Sequence, residues 1–233
     1  GNCCLTMLRR IKYSLLCLLL VLVVDVGQSL RLLVAGGSGY LGRQVCKEAV
    51  TRGWEVTSLS RRGKNPRPGT CLDKVNWVKG SGTDAELLRR LVGESDAVVH
   101  SIGLLLDESS GLKNLNFITS GSGSVPGKGA TYDSEMRGTA MALLEAATSS
   151  TNVPFVFVSA AEAGWKDDSL GSKIEAFMDK RGFFLPRYLT AKRAVEETLM
   201  STSAPPAGVK PIIARPSFMY SPTKLDILPL IPV

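Results

Sequence analysis

Short apolar runs rich in β-formers alternate along the chain with longer segments whose apolar residues recur at helical spacing. The apolar runs predict six strands, at 32–35, 55–60, 75–79, 97–101, 155–160 and 209–214. The other segments predict helices at 40–52, 84–92, 132–148 and 186–200, whereas the Gly- and Ser-rich stretch 104–130 predicts an irregular excursion. Strands and helices that alternate in this way form a parallel sheet covered on both faces. We therefore predict one α/β domain with a doubly wound parallel sheet.

A glycine-rich turn joins the first predicted strand to the first predicted helix. Gly36 permits a tight turn, Gly39 lets the backbone approach a pyrophosphate, and Gly42 lets the helix pack closely on the strand. Backbone amides and the dipole at a helix N-terminus attract phosphate. Glycine turns also serve purely structural purposes, but the order of strand, turn and helix favours a nucleotide site. The residues predicted to contact the nucleotide here are Gly36, Gly37, Ser38, Gly39, Tyr40, Leu41 and Gly42.

The end of the second strand indicates which nucleotide binds. Proteins that bind NAD place Asp or Glu there to accept the ribose hydroxyls, and that carboxylate repels the 2′-phosphate of NADP. This chain has Ser60, Arg61 and Arg62 at that place, and we expect no acid within reach of them. Either arginine could hold the phosphate with paired, charge-assisted hydrogen bonds. The alternative is a solvated basic loop. We predict NADP(H) over NAD(H).

Small residues follow the fourth predicted strand, where a cofactor would cross the edge of the sheet. They are Ser101, Ile102 and Gly103, and we predict that they contact the cofactor. The alternative is that they merely end the strand. His100 is interpreted as a core or edge residue and is assigned no chemistry.

Tyr188 and Lys192 lie one helical turn apart, and Ser159 ends the fifth predicted strand. This arrangement predicts Tyr188 as general acid/base, Ser159 as the residue that steadies a substrate oxygen, and Lys192 as the ligand of a nicotinamide ribose. A nearby ammonium is expected to lower the pKa of Tyr188. A Tyr and a Lys at this spacing also arise by coincidence, which is the alternative.

Composition narrows the class of partner. The net charge of +7 is moderate, and the basic residues do not form runs interleaved with aromatic residues, so we expect no nucleic-acid partner. The chain has one His and no Cys-x-x-Cys pair, so we expect no metal site. Only Cys46 and Cys71 fall within the predicted domain, which excludes a disulfide framework.

The N-terminal segment 1–29 predicts a targeting or membrane-anchoring leader ahead of a domain at 30–233. Basic residues precede an almost wholly apolar run at 14–24, which would be about 17 Å long as a helix against about 30 Å of bilayer hydrocarbon. This combination is typical of a signal-type segment, not of an amphipathic mitochondrial presequence. The apolar segment 226–233 predicts that further residues follow it.

These motifs resemble those of the extended and atypical short-chain dehydrogenase/reductases. The resemblance covers about residues 31–222. Segments 58–63, 98–105 and 155–160 are similar to a mitochondrial branch that includes the NADPH-binding accessory subunit of respiratory complex I and an atypical reductase associated with coenzyme Q (ubiquinone) biosynthesis. The motifs that carry the family resemblance are Gly36-x-x-Gly39-x-x-Gly42, Ser159, Tyr188-x-x-x-Lys192 and Arg215-Pro216-Ser217-Phe218-Met219-Tyr220.

The resemblance implies a Rossmann fold, bound NADP(H) and a place in electron transport. The expected role is that of an accessory protein on the matrix side of the mitochondrial inner membrane, peripherally bound, with protein subunits of a complex as partners. The alternative is an active oxidoreductase or isomerase that uses Ser159, Tyr188 and Lys192 on a quinone-like, sugar or lipid substrate. The leader leaves a plastid or secretory-pathway membrane as the alternative location.

Two departures from the pattern of this group weaken the case for an efficient catalyst. After Gly80 the group commonly has Asp near the adenine, whereas this chain has Ser81. Three positions before Gly138 the group often has Asn, whereas this chain has Glu135.

Overall fold

Six parallel strands form one sheet in the computed structural model, which describes residues 29–104, 106–111, 114, 126–148, 150, 152–201 and 208–216. The strands are β1 (Arg31–Ala35), β2 (Glu55–Ser60), β3 (Asn76–Lys79), β4 (Ala97–His100), β5 (Val153–Val158) and β6 (Val209–Ala214). Their spatial order is β3-β2-β1-β4-β5-β6. This order and the parallel pairing of all neighbours are those of a Rossmann fold, so the predicted fold class is confirmed.

Five α-helices lie in the described part of the chain. They are α1 (Tyr40–Thr51), α2 (Ala85–Gly93), α3 (Thr139–Ala147), α4 (Leu170–Lys180) and α5 (Leu185–Met200). Asp84 caps α2 by accepting a hydrogen bond from the Leu87 amide, and Ser169 caps α4 by accepting one from the Ser172 amide. A proline in the first turn opens α5, where its missing amide hydrogen costs no intrahelical bond.

Side chains of successive strand residues enter different cores on the two faces of the sheet. In β1, Leu32 and Val34 pack with residues of α1, whereas Leu33 and Ala35 pack with residues of α2, α3 and α5. All four side chains are at most 1% exposed. Because both faces are covered, β1 is apolar from Leu32 to Ala35, which is the pattern that predicted a parallel sheet.

A crevice opens at the carboxyl ends of β1 and β4. The chain runs from β1 outward to β2 and β3, and then returns to continue from β4 to β5 and β6. The connections that follow β1 and β4 therefore leave in opposite directions, and parallel α/β sheets bind ligands at such a switch point. A third apolar cluster borders this edge and includes Leu104, Tyr132, Met136, Tyr188 and Leu189.

Several predicted boundaries differ from the structure. The fifth strand is Val153–Val158 instead of 155–160, because the chain leaves the sheet at Ser159 and enters a 3₁₀ turn at Ala161–Gly164. The helix predicted at 132–148 begins with a π-helical segment, Asp133–Gly138. The helix α4 was not predicted.

Some predictions fall on residues outside the described part. These are the leader at 1–28, the excursion at 115–125, Ser217–Tyr220 of the family motif, and the terminal segment 226–233. Among the residues that the structure does describe, no helix has both the length and the apolar character needed to cross a membrane.

Candidate functional site

One cleft of about 340 Å³ lies at the carboxyl edge of the sheet. Almost every residue that the sequence singled out lines it. Gly37 and Gly42 are the exceptions, because Gly37 packs against Ser58 and Cys46, and Gly42 packs against the backbone of the turn itself. The lining includes Gly36, Ser38, Gly39, Tyr40, Leu41, Ser60, Arg61, Arg62, Ser101, Ile102, Gly103, Ser159, Tyr188 and Lys192.

Gly36 is tied to its position by both conformation and space. Its φ is 90°, a left-handed value that favours glycine. A Cβ there would lie 2.8 Å from the amide nitrogen of Ile102 and 2.9 Å from the carbonyl carbon of Ser101. The turn therefore packs directly on the backbone that follows β4.

Gly39 and Gly42 face different surroundings. A Cβ on Gly42 would come within 2.7 Å of the Gly37 Cα and 2.8 Å of the Ser101 Oγ, so Gly42 lets α1 pack on the turn. A Cβ on Gly39 would meet only the carbonyl oxygen of Gly36 within 4 Å, at 3.2 Å, and would otherwise project into the cleft. Gly39 is also the N-cap of α1, whose first turn carries no acidic residue. The positive N-terminal end of the α1 dipole therefore faces the cleft at Gly39. A larger side chain at that position would occupy the space next to it.

Ser101 fixes the end of β4 against β1. Its amide and its hydroxyl both donate to the carbonyl oxygen of Ala35, at 2.8 Å and 2.9 Å. Ile102 and Gly103 follow directly, and a Cβ on Gly103 would meet nothing within 4 Å. The backbone between β4 and Leu104 therefore forms an open wall of the cleft.

An acidic residue pairs with one of the two arginines at the far end of the cleft. The guanidinium of Arg61 lies 3.7 Å from a carboxylate oxygen of Glu135, and the two side chains are 52% and 28% exposed. The expectation that no acid lies within reach of the arginines is therefore wrong, because the π-helical segment before α3 brings Glu135 to the cleft. An incoming phosphate would compete with this carboxylate for Arg61.

Ser159, Tyr188 and Lys192 meet at the opposite end of the cleft, and each is at most 3% exposed. The ammonium of Lys192 donates to the carbonyl oxygen of Val158 at 2.6 Å and lies 5.7 Å from the centre of the Tyr188 ring. The hydroxyl of Ser159 faces the Glu196 carboxylate without reaching hydrogen-bond geometry.

Burial shifts the pKa values of Tyr188 and Lys192 in the directions that disfavour their charged forms. It raises the pKa of Tyr188 above its usual value, and the nearby Glu162 and Tyr132 raise it further. The expectation that Lys192 lowers the pKa of Tyr188 is therefore wrong for this structure, because desolvation dominates. Burial also lowers the pKa of Lys192 to about 7, although Glu196 favours the charged form.

A sequence model of the NAD-dependent epimerase/dehydratase family matches residues 32–228. The chain belongs to this family. The resemblance to extended short-chain dehydrogenase/reductases is thereby confirmed, and the family is one of NAD-dependent proteins.

Two relatives from eukaryotes resemble this member of the epimerase/dehydratase family. MIOREX complex component 2 of Saccharomyces cerevisiae is 35% identical over 112 residues, which are 46% of this chain and 36% of that protein. An uncharacterized chloroplastic protein of Arabidopsis thaliana is 30% identical over 206 residues, which are 88% of this chain and 55% of that protein. The chain thus spans about half or less of the length of these relatives.

Solved structures of the epimerase/dehydratase type share the fold. The Bordetella bronchiseptica enzyme WbmG in complex with NAD superposes with a TM-score of 0.52 at 19% identity, covering 82% of this chain and 54% of that one. UDP-glucose 4-epimerase from Brucella ovis in complex with NAD gives 0.51 at 14% identity, covering 79% and 51%. At these identities the likeness concerns the fold alone.

Two side-chain pairs of this epimerase/dehydratase chain, one partly exposed and one buried, were not predicted from the sequence. Arg215 donates to both carboxylate oxygens of Glu196, at 3.0 Å and 2.5 Å. Burial raises the pKa of Glu196, but Arg215, Ser159 and Lys192 together outweigh it and lower the pKa. Arg215 belongs to the family motif, so its place after β6 was a usable signal.

The second pair joins His100 to Thr139. Thr139 Oγ1 donates to the Glu135 carbonyl at 2.6 Å, so it accepts at 2.9 Å from His100 Nε2, which carries the hydrogen. Burial, followed by the charge of Lys192, lowers the pKa of His100 to about 3, so the ring is neutral. No local pattern connects β4 to α3, and the contact could not be read from the sequence.

Proposed function

We propose that this chain is an NADP(H)-binding accessory protein of a membrane-associated assembly, located on the matrix side of the mitochondrial inner membrane, in which the cofactor is largely structural. The observation that carries the cofactor assignment is the open Gly39 at the N-terminus of α1, which faces a cleft that ends in Arg61 and Arg62. A pyrophosphate fits the helix N-terminus at Gly39, and a ribose 2′-phosphate fits the two arginines.

The chain's own residues account for how the dinucleotide would be held. Amides of the turn from Gly36 to Gly39 and of the first turn of α1 would donate to the pyrophosphate. Arg61 would exchange its carboxylate partner Glu135 for the 2′-phosphate. The backbone at Ile102 and Gly103 would lie along the ribose and nicotinamide, because it forms the wall between the two ends of the cleft.

The environment of Tyr188 supports a structural cofactor. Its raised pKa disfavours the phenolate, its hydroxyl makes no hydrogen bond to a described residue, and Lys192 is engaged by the Val158 carbonyl. A general acid/base works best when its pKa is close to the working pH. As arranged, the tyrosine is a weak candidate for turnover.

The relatives support the assembly and the location. One is named as a component of a complex and the other as chloroplastic, which together favour an organelle and a multiprotein setting. The resemblance to the mitochondrial branch selects the mitochondrion, with a plastid or secretory-pathway membrane as the alternative.

A second function is favoured by one observation: Ser159, Tyr188 and Lys192 all line the cleft, and the pKa of Lys192 is about 7. In an oxidoreductase or isomerase, a bound nicotinamide would supply or accept hydride. Ser159 would steady the substrate oxygen and Tyr188 would give it a proton, which requires Lys192 to leave the Val158 carbonyl and approach the tyrosine. The substrate class would be quinone-like, sugar or lipid.

Calorimetric titration of the full chain tests the cofactor assignment. We expect NADP(H) to bind more tightly than NAD(H), and Arg61→Gln to remove most of the difference. Glu135→Gln should strengthen NADP(H) binding by about fivefold with less effect on NAD(H), since one exposed charge pair contributes up to about 1 kcal/mol. Tighter binding of NAD(H) by the unmodified chain would refute the assignment.

Two variants, each expressed in cells at the level of the native protein, distinguish the structural function from the enzymatic one. Gly39→Asp places a carboxylate at the phosphate site and should abolish cofactor content and assembly. Tyr188→Phe should leave cofactor content, assembly and the cellular phenotype unchanged. A phenotype of Tyr188→Phe with cofactor and assembly intact would favour the enzyme instead.

A further inference from the structure

Helix α4 presents an apolar face to solvent. Leu170, Ile174 and Phe177 follow at intervals of four and three residues, so they share one side of the helix. Their exposed fractions are 75%, 40% and 56%, and Phe183, just beyond the helix, is 52% exposed. No residue of α4 is buried. We call Leu170, Ile174, Phe177 and Phe183 the α4 face.

The rest of α4 explains how the helix is held with this side outward. The carboxylate of Glu175 accepts two hydrogen bonds from Arg193 of α5, at 2.7 Å and 2.8 Å. Met178 packs against the cluster that contains Tyr188. These contacts attach one side of α4 to the domain and leave the α4 face outside the apolar clusters of the described residues.

The charges around the α4 face are segregated. Lys173 and Lys180 are exposed along one edge of it, Arg181 is exposed just beyond the helix, and the guanidinium of Arg181 lies 4.7 Å above the ring of Phe177. By contrast, Glu175 is engaged by Arg193, and Asp179 lies about 160° around the helix from Phe177. Two further acids, at 167 and 168, precede the helix at the end far from Lys180 and Arg181.

An apolar stripe bordered by basic side chains is typical of a helix that lies in the interface of an anionic bilayer. Aliphatic and aromatic side chains enter the acyl boundary, while long basic side chains reach the lipid headgroups. An 11-residue helix is about 16 Å long and cannot span the bilayer, but it can lie along its surface.

We propose that the α4 face docks this protein on an anionic phospholipid bilayer, with Leu170, Ile174, Phe177 and Phe183 in the acyl boundary and Lys173, Lys180 and Arg181 at the headgroups. The inference rests on the membrane association proposed above and assigns it to one surface. It is independent of cofactor binding, because no residue of the α4 face or its basic flank lines the cleft.

A local fluorescence probe tests the proposal in the full chain, where the apolar N-terminal segment could also bind lipid. Phe177→Trp adds a tryptophan to the α4 face, and Gln44→Trp adds one to the exposed side of α1, which covers the opposite face of the sheet. The probes are phosphatidylcholine vesicles with brominated acyl chains, with and without about one-third phosphatidylglycerol. The unmodified chain gives the background, and NADP(H) binding by each variant verifies its fold.

The expected result is a blue shift and quenching of the tryptophan of Phe177→Trp by anionic vesicles, with no change for Gln44→Trp. Adding Lys173→Gln or Lys180→Gln should raise the lipid concentration for half-maximal quenching by about fivefold for each charge removed. High salt should have the same effect.

Four outcomes would overturn the proposal. The probe at 177 could stay unquenched although the chain sediments with vesicles, or could be quenched equally by vesicles without phosphatidylglycerol. It could also be shielded from acrylamide before lipid is added, which would indicate a segment of this chain as the occupant. If the tryptophan at 177 were shielded from acrylamide only within the isolated native assembly, the occupant of the α4 face would be a protein partner. Failure of the unmodified chain to sediment with native membranes would instead contradict the membrane association in the proposed function.

Discussion

Gly36 and Gly53 both have a positive φ, of 90° and 80°, but only one of them is crowded. A Cβ on Gly53 would meet nothing within 4 Å, whereas a Cβ on Gly36 would collide with the backbone after β4. We expect Gly53→Ala to lower the free energy of unfolding by about 1 kcal/mol through the left-handed conformation alone. Gly36→Ala should cost roughly 3 kcal/mol or more, because steric overlap adds to the strain. Urea unfolding measures both, and equal losses would contradict the packing described for the turn.

Lys192 predicts how stability depends on pH. Its pKa is lowered from 10.5 to about 7 by burial, with Glu196 opposing the shift. Between these values the unfolded chain holds a proton that the folded chain lacks, so the free energy of unfolding rises with pH through this window. Below about pH 7 both states are protonated, and the folded state bears the cost of a buried ammonium. Urea unfolding at several pH values from about 7 to 10 should show a contribution on the order of 1 kcal/mol per pH unit.

Lys192→Met is the matched control for that pH dependence. It keeps the apolar stem and removes the titrating group, so the rise in the free energy of unfolding between about pH 7 and 10 should largely disappear. Within this window, the variant should gain most stability over the unmodified chain near pH 7. The other titratable groups that face Lys192 do not titrate there: the pKa of Glu196 is lowered, that of His100 is about 3, and that of Tyr188 is raised. If the free energy of unfolding of Lys192→Met rises with pH as steeply as that of the unmodified chain, then the folded state does not lower the pKa of Lys192.

The residues of the site differ in how readily the sequence reveals them. The glycine turn was predictable because its motif occupies seven consecutive positions between a strand and a helix, although Gly36 and Gly42 also pack against residues after β4. The pairing of Arg61 with Glu135 was not, since it joins residues 74 positions apart through the fold. The pKa of Tyr188 was predicted in the wrong direction because spacing reveals Lys192 but not burial.

Among the elements, the strands were the most predictable and α4 the least. The central strands β1, β4 and β5 are nearly continuous apolar runs, and all six strands were placed within a few residues of their observed bounds. The spacing of Leu170, Ile174 and Phe177 and the capping residue Ser169 did offer a helical signal for α4. A helix held by a polar contact, with its apolar side in solvent, does not contribute to the buried pattern on which the other predictions depended.

The attachment of α4 to α5 can be tested through Glu175. Glu175→Gln removes the charge that accepts two hydrogen bonds from Arg193, and hydrogen bonds to charged groups contribute about 1.5–3 kcal/mol. We expect amide hydrogen exchange in α4 to accelerate by roughly tenfold or more, with little change in α1 or α2. Exchange followed by mass spectrometry on fragments covering each helix measures this.

Asp133→Asn is the control for the Glu175 variant. The Asp133 carboxylate forms an ion pair of similar length, 2.9 Å, with the Arg137 guanidinium, but both side chains are at least half exposed. Removing this pair should therefore change amide hydrogen exchange very little. If both variants behave alike, α4 is held by apolar packing at Met178 instead of by the charge pair. The docking proposal for the α4 face depends on this attachment, because it fixes which side of the helix meets solvent.

Across the whole molecule, the cleft joins the two halves of the sheet. Ser60, Arg61 and Ser81 line it from the β2–β3 half, and Ser159 and Lys192 line it from the β5–α5 half. Ser81 and Glu135, which depart from the family pattern, lie toward the β2–β3 half of the cleft. Tyr188 and Lys192 lie in the β5–α5 half. A dinucleotide that spans both halves would stabilise the fold even without turnover, which links the structural role to the geometry.

This bridging predicts different effects for a whole dinucleotide and for its adenosine part. At a thousandfold above its dissociation constant, NADP⁺ should add about 4 kcal/mol of stability, which is a rise of about 8–16 °C in Tm for a chain of this size. NADP⁺ should slow amide exchange both at Arg61–Thr83 and around Ser159, whereas 2′,5′-ADP should protect only the first region. Gly39→Asp should remove both effects. Equal protection of both regions by the fragment would mean that the halves are already coupled without a bridging ligand, and the structural role of the cofactor would then lack its physical basis.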